Sequence, residues 1–132
     1  MNFENIFMSN ITNEKLKEAN PIALAFIGDA VHTLFVRDKI IKNENLLIID
    51  YHKKSAGYCK AEAQANRLDF LFTSLSEEEK DIVRRARNAK THSKAKNASI
   101  ENYKKATAFE ALVGYTYLIG NYDRLNQILK EN

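Results

Sequence analysis

PIALAFIGDAVHTLFVR, residues 21–37, decides how this chain is read. Its apolar residues recur at helical rather than strand spacing. Asn20-Pro21 marks the start, because Asn caps a helix and Pro, lacking an N–H, fits its first turn. One carboxylate, Asp29, stands in the middle. The residues three and four positions away are Ala25, Phe26, His32 and Thr33, so nothing within the helix neutralises it. A charge on an apolar face is costly unless a partner compensates it. KKATAFEALVGYTYLIG, residues 104–120, repeats the arrangement, with Glu110 as its only acid among Ala106, Thr107, Val113 and Gly114.

Taken singly, each acid reads as half of a tertiary ion pair or hydrogen bond. Taken together, two lone acids on two apolar helices suggest a shared site. The small residues around Glu110 leave room for a hydrated ion. Mg²⁺ favours oxygen ligands and keeps several waters, so few protein carboxylates are needed. The segment between the two helices is strongly basic: from Arg84 to Lys105 there are eight Lys and Arg against Glu101 alone. With a net charge of +3 for the whole chain, the remainder is acidic. Such a block is either a solvated face or a phosphate-binding surface. Arg84, Arg85, Arg87, Lys90, Lys94 and Lys96 are its candidate contacts, and His52 and Lys53 form a second, smaller group. Acids that call for a cation, next to a surface that fits phosphate, point to metal-assisted chemistry on a polyanion.

The rest of the chain reads as helix, with four Gly and one Pro in 132 residues. A short helix is expected near Thr12 to Glu18, and the Pro21 helix is expected to run to about Lys42. A third helical region spans roughly Leu46 to Ser74, interrupted near Gly57, with Ala61, Ala65, Leu68 and Phe72 on its apolar face. Ser76 with Glu79 forms a capping box for a helix to about Asn88. Ala89 to Ala98 reads as an exposed loop. Ser99 caps the next helix, Gly120 ends it, and a last helix buries Leu125, Ile128 and Leu129. One domain of residues 1–132 is expected, all-α. No apolar run approaches the ~20 residues of a membrane span, and no export signal is visible at the start. Cys59 is the single cysteine and reads as packing. Together these give a cytoplasmic setting and no membrane partner. Zinc-ligand spacings, phosphate-binding glycine loops and dinucleotide fingerprints are absent from the sequence.

Phe26-Ile27-Gly28-Asp29-Ala30-Val31 resembles the signature helix of the ribonuclease III catalytic domain, and residues 107–114, TAFEALVG, resemble its second acidic helix. Arg85-Ala86-Arg87-Asn88-Ala89-Lys90, together with Gln64-Ala65 and Glu78-Glu79, resembles the compact branch called mini-ribonuclease III. The similarity runs from about Asn20 to Leu129. It implies a helical bundle forming a homodimer, and Mg²⁺-dependent endonucleolytic cleavage of double-stranded RNA. Asp29 and Glu110 are then the catalytic metal ligands, and Asn88 joins the RNA-binding residues. It also implies a chain without the second, double-stranded-RNA-binding domain. The substrate implied is precursor large-subunit (23S) ribosomal RNA, trimmed where its ends pair, with a ribosomal protein as a stimulating partner. The larger enzymes carry further acids where this chain has Ile22, Ala25 and Thr107. One metal held by two carboxylates and waters is therefore the expectation. Ala86 and Ala108 stand where the branch often has glycine. The alternative is a non-catalytic duplex-binding module of the same fold; a helical protein-interaction domain would explain neither the lone acids nor the basic block.

Overall fold

The computed structural model of the chain describes residues 11–89 and 99–130. Among the described residues the protein is all-helical: α1 Asn13–Lys17, α2 Pro21–Asn43, α3 Ile48–Cys59, α4 Ala61–Leu71, a 3-10 turn Phe72–Ser74, α5 Glu77–Asn88, α6 Ile100–Leu118 and α7 Tyr122–Leu129. No helix among them is long and apolar enough to cross a membrane. The expected loop at 90–98 lies outside the described residues.

α6 is the central helix. From Ala106 to Thr116 every residue except Glu110 is buried, as befits a helix that is apolar on all sides. α2, α4, α5 and α7 pack around it. Leu24, Leu68, Leu71, Ile82, Phe109, Leu112, Val113 and Ile128 belong to one buried apolar cluster.

Local chemistry sets the helix ends. Asn20 Oδ1 accepts the Ile22 N–H at 2.9 Å, opening α2. Ser76 and Glu79 bond each other's backbone N–H groups at 2.8 and 3.1 Å, opening α5. Ser99 Oγ accepts from Asn102 at 3.1 Å, opening α6. Gly120 follows α6 with φ +76°, a conformation other residues adopt only with strain. Glu79 also receives two hydrogen bonds from Arg124, at 2.8 and 2.9 Å, which tie α7 to the start of α5.

Two details differ from the sequence reading. The third helical region breaks at Lys60, whose backbone is extended (φ −64°, ψ 146°), whereas Gly57 lies inside α3. Phe72 falls beyond the end of α4 and is 52% exposed; Leu71 and Leu75 take the core positions instead. Ala86 and Ala108 lie within α5 and α6 and are buried, so neither position requires a positive φ.

The crossing of α2 and α6 positions the two acids. A Cβ built on Gly28 would lie 1.7 Å from the Glu110 carbonyl oxygen, and one on Gly114 would lie 2.0 Å from the Leu24 carbonyl oxygen. The two helix backbones therefore touch, and only glycine permits this. The small residues around Glu110 do not all open space for an ion. Gly114 is filled by α2, and Ala106, Thr107 and Val113 are buried. What these residues provide is the close approach that brings Asp29 to Glu110.

Candidate active site

Asp29 follows Gly28 on α2, at the contact with the Glu110 backbone. Its side chain is exposed, while that of Glu110 is partly buried. The two carboxyls lie within hydrogen-bonding reach of each other. Burial, together with the negative charge of Asp29, pushes the Glu110 carboxyl up to about 8; a side-chain hydrogen bond with Gln64 acts the other way. Neither Asp29 nor Glu110 has an ion-pair partner among the described residues. Two carboxylates held together without a cation are electrostatically frustrated, and a divalent cation relieves that frustration.

The donor set favours a hard ion. Among the described residues no group of three or more His, Cys, Asp and Glu could hold a metal. Two carboxylates offering oxygen, with water completing the shell, suit Mg²⁺ and not the closed nitrogen and sulfur sites of zinc.

Around the acids sit three further residues. His32, one turn along α2, is buried; burial lowers its imidazole to about 4 against the pull of Asp29, so it stays neutral. Its ring meets Phe109 edge-on at 5.2 Å, and its Nδ1 lies 3.1 Å from Gln64 Nε2. Cys59, at the end of α3, has its Sγ 3.9 Å from Thr33 Oγ1. Burial pushes that thiol up, and the charges of Asp29 and Glu110 add to the effect. The sequence reading gave Gln64 no part in the site. The visible signal was a single carboxamide among Ala61, Ala65 and Leu68 on an apolar helix face.

The remaining candidates fall into separate groups. Arg84, Arg87 and Asn88 line an open groove of about 850 Å³ between α5 and α6, with Lys80, Lys104 and the apolar Phe72, Val83 and Ile100. Arg84 pairs with Asp81 at 2.6 Å and Arg87 with Glu101 at 3.0 Å. Arg85 points elsewhere: its guanidinium donates to the Lys17 and Ala19 carbonyls, pinning the end of α1. His52 and Lys53 are exposed on α3, and His52 lines a different groove with Arg37 and Ile41. Lys90, Lys94 and Lys96 lie outside the described residues.

The raised Glu110 carboxyl gives a pH prediction. In the metal-free fold it holds its proton up to about pH 8, whereas unfolded it releases it near the ordinary glutamate value. Between those values the folded state binds the extra proton, so stability falls as pH rises. His32 works in the opposite sense, but only below about pH 6.5. Above that pH, metal-free protein should lose about 2 kcal/mol of stability relative to Glu110→Gln, whose curve should be flat. Melting in EDTA from pH 6.5 to 9 measures this, and parallel curves would refute it.

The family model described as the ribonuclease III domain matches residues 22–121. The chain is 46% identical to the Mini-ribonuclease 3 of a Thermoanaerobacter species over 120 residues, 91% of this chain and 84% of that protein. It is 37% identical to the Mini-ribonuclease 3 of Staphylococcus aureus, over 94% of each. The crystal structure of a Fusobacterium nucleatum protein superposes with a TM-score of 0.78 at 29% identity, covering 85% of this chain and 89% of that one. With its two acids on the matched helices, the chain belongs to the ribonuclease III family, in its Mini-ribonuclease 3 branch, and is an endoribonuclease of that type.

Proposed function

We propose that this protein cleaves double-stranded RNA with Mg²⁺ held by Asp29 and Glu110, acting as a homodimer. The observation that carries the reading is the carboxylate pair at the α2–α6 crossing, which lacks a cationic partner among the described residues. When bound, Mg²⁺ supplies charge neutralisation at the scissile phosphate and a more acidic water as nucleophile. The chain's own residues do the rest. Asp29, at the surface, faces the phosphate, and Glu110, half-buried beneath it, is anchored in the core. The neutral, buried His32 adds no competing positive charge.

Arg84, Arg87, Lys80 and Lys104 around the α5–α6 groove, with Lys90, Lys94 and Lys96, hold flanking phosphates. A-form RNA hides its base edges in a deep, narrow groove, so recognition rests on backbone and shape. Replacing Arg87, Lys90 and Lys94 together by Ala should weaken binding to all duplexes about equally. It should also flatten the salt dependence of log affinity by roughly two to three. An unchanged slope would make the block a solvated face.

The homodimer rests on the outer stripe of α2, where Phe26, Leu34 and Ile41 are 83%, 65% and 67% exposed, continued by Leu47, Ile48 and Ile49. Exposed apolar side chains gathered on one side of a helix fit an interface, and a two-fold dimer sets two sites on one duplex. Light scattering at micromolar concentration should give twice the chain mass. Paired ends of precursor 23S ribosomal RNA are the natural substrate on this reading, since they form a long duplex. The deciding experiment is incubation with long duplex RNA, with and without Mg²⁺. Cutting only with metal supports the proposal; binding without cutting under either condition would leave a non-catalytic duplex-binding module.

A further inference from the structure

Gln64 is 4% exposed, on the helix α4 that packs against α6. Its Nε2 lies 3.1 Å from His32 Nδ1, and its side chain also hydrogen-bonds with Glu110. As a metal ligand Glu110 is an ionised carboxylate, which only accepts, so the amide nitrogen and not the oxygen serves it. An amide nitrogen carries two protons, and a neutral imidazole has one acceptor nitrogen. One proton for the carboxylate and one for Nδ1 use both, which requires His32 to carry its own proton on Nε2. A reversed amide would set its oxygen against the carboxylate, acceptor facing acceptor. The imidazole is itself buried and packed edge-on to Phe109, the neighbour of Glu110. Three helices thus converge on one amide: α2 through His32, α4 through Gln64 and α6 through Glu110.

We propose that Gln64 is the positioning residue for Glu110: its buried amide nitrogen donates to both the Glu110 carboxylate and His32 Nδ1, holding the carboxylate in the rotamer that faces Asp29. The proposal rests on the reading of Glu110 as a metal ligand. A glutamate has three side-chain torsions, and Ala106, Thr107 and Gly114 beside Glu110 on α6 carry small side chains. Without the amide it would sample orientations that turn it from Asp29, and each such orientation would weaken the metal's second contact.

The test is Gln64→Met, matched in length and lacking the donor. Mg²⁺ affinity of the RNA-free protein, measured by calorimetry, should fall about tenfold or more. The Mg²⁺ concentration for half-maximal cleavage should rise in step, while duplex affinity in Ca²⁺ stays unchanged. A Gln64→Met protein with parental Mg²⁺ affinity overturns the proposal, even if its melting temperature is lower, because the amide would then serve only His32. Glu110→Gln separates this failure from that of the underlying reading. If Glu110→Gln loses Mg²⁺ affinity while Gln64→Met keeps it, only the positioning role falls; if Glu110→Gln keeps it too, the ligand assignment falls with it. A measurement on the unaltered protein needs no variant to fold. Nitrogen–proton correlation spectra of the Mg²⁺-loaded protein should show His32 protonated on Nε2, and a proton on Nδ1 would overturn the arrangement.

Discussion

Asp29→Asn should reduce cleavage of duplex RNA on the order of a thousandfold or more, corresponding to roughly 4 kcal/mol of lost transition-state stabilisation. The expectation rests on missing redundancy. Positions 22, 25 and 107 are Ile, Ala and Thr, so on those helix faces no carboxylate besides Glu110 stands ready to take over the charge. Asparagine has almost the same shape, and Asp29 is exposed with no ion pair among the described residues to break. Folding and duplex affinity in Ca²⁺ should therefore be retained. Removing this charge also relieves part of what raises Glu110, so the metal-free variant should be at least as stable as the parent. The measurements are single-turnover cleavage with Mg²⁺ and melting in EDTA. Cleavage within a few-fold of the parent would remove Asp29 from the site. A large loss of cleavage accompanied by an equal loss of duplex binding would assign it to substrate affinity instead.

What was legible in the sequence follows from the range of the interaction concerned. Asn20, Ser76, Ser99 and Gly120 announce helix ends because capping joins residues two to four apart. The two acids could be paired by eye because each was alone in an apolar helix, a conflict that only a distant partner resolves. The break at Lys60 carried no such mark. Gly57 was the visible breaker, yet an exposed helix tolerates a glycine at a cost of about 1 kcal/mol. Phe72 continued the apolar spacing of α4 on paper, but α4 ends at Leu71 and the 3-10 turn rotates Phe72 outward. Gln64 reaches a histidine 32 residues back and an acid on α6, and nothing local points to either. Arg85 stood in a basic run and was grouped with its neighbours, whereas its partners are carbonyls at the end of α1. Long-range hydrogen bonds formed by ordinary-looking residues are the part that pattern does not carry.

Gly28→Ala should be among the most damaging single substitutions in the chain although it adds one methyl group. Intrinsic propensity points the other way, since alanine is favoured over glycine in a helix by about 1 kcal/mol. Packing decides the outcome. The new Cβ would lie 1.7 Å from the Glu110 carbonyl oxygen, 2.7 Å from its carbonyl carbon and 2.9 Å from the Gly114 nitrogen. All three are backbone atoms of α6, so no rotamer change relieves the clash and the helices must separate. α6 is held on its other sides by α4 and α5, and separation from α2 strips contacts from the core along the crossing. A loss of more than about 3 kcal/mol is expected, a drop in melting temperature of roughly 10 °C. Gly114→Ala should behave alike, because its Cβ would meet the Leu24 carbonyl oxygen at 2.0 Å. Gly57→Ala is the control: that glycine lies in α3 with nothing within 4 Å of its missing Cβ, so alanine there should stabilise by about 0.5–1 kcal/mol. The same crossing carries the carboxylates, and Glu110 is the residue struck. Gly28→Ala protein that still folds at low temperature should therefore cleave poorly and need more Mg²⁺, with the two acids forced apart. Gly28→Ala with parental melting temperature and parental cleavage would mean that α2 and α6 do not meet at this point.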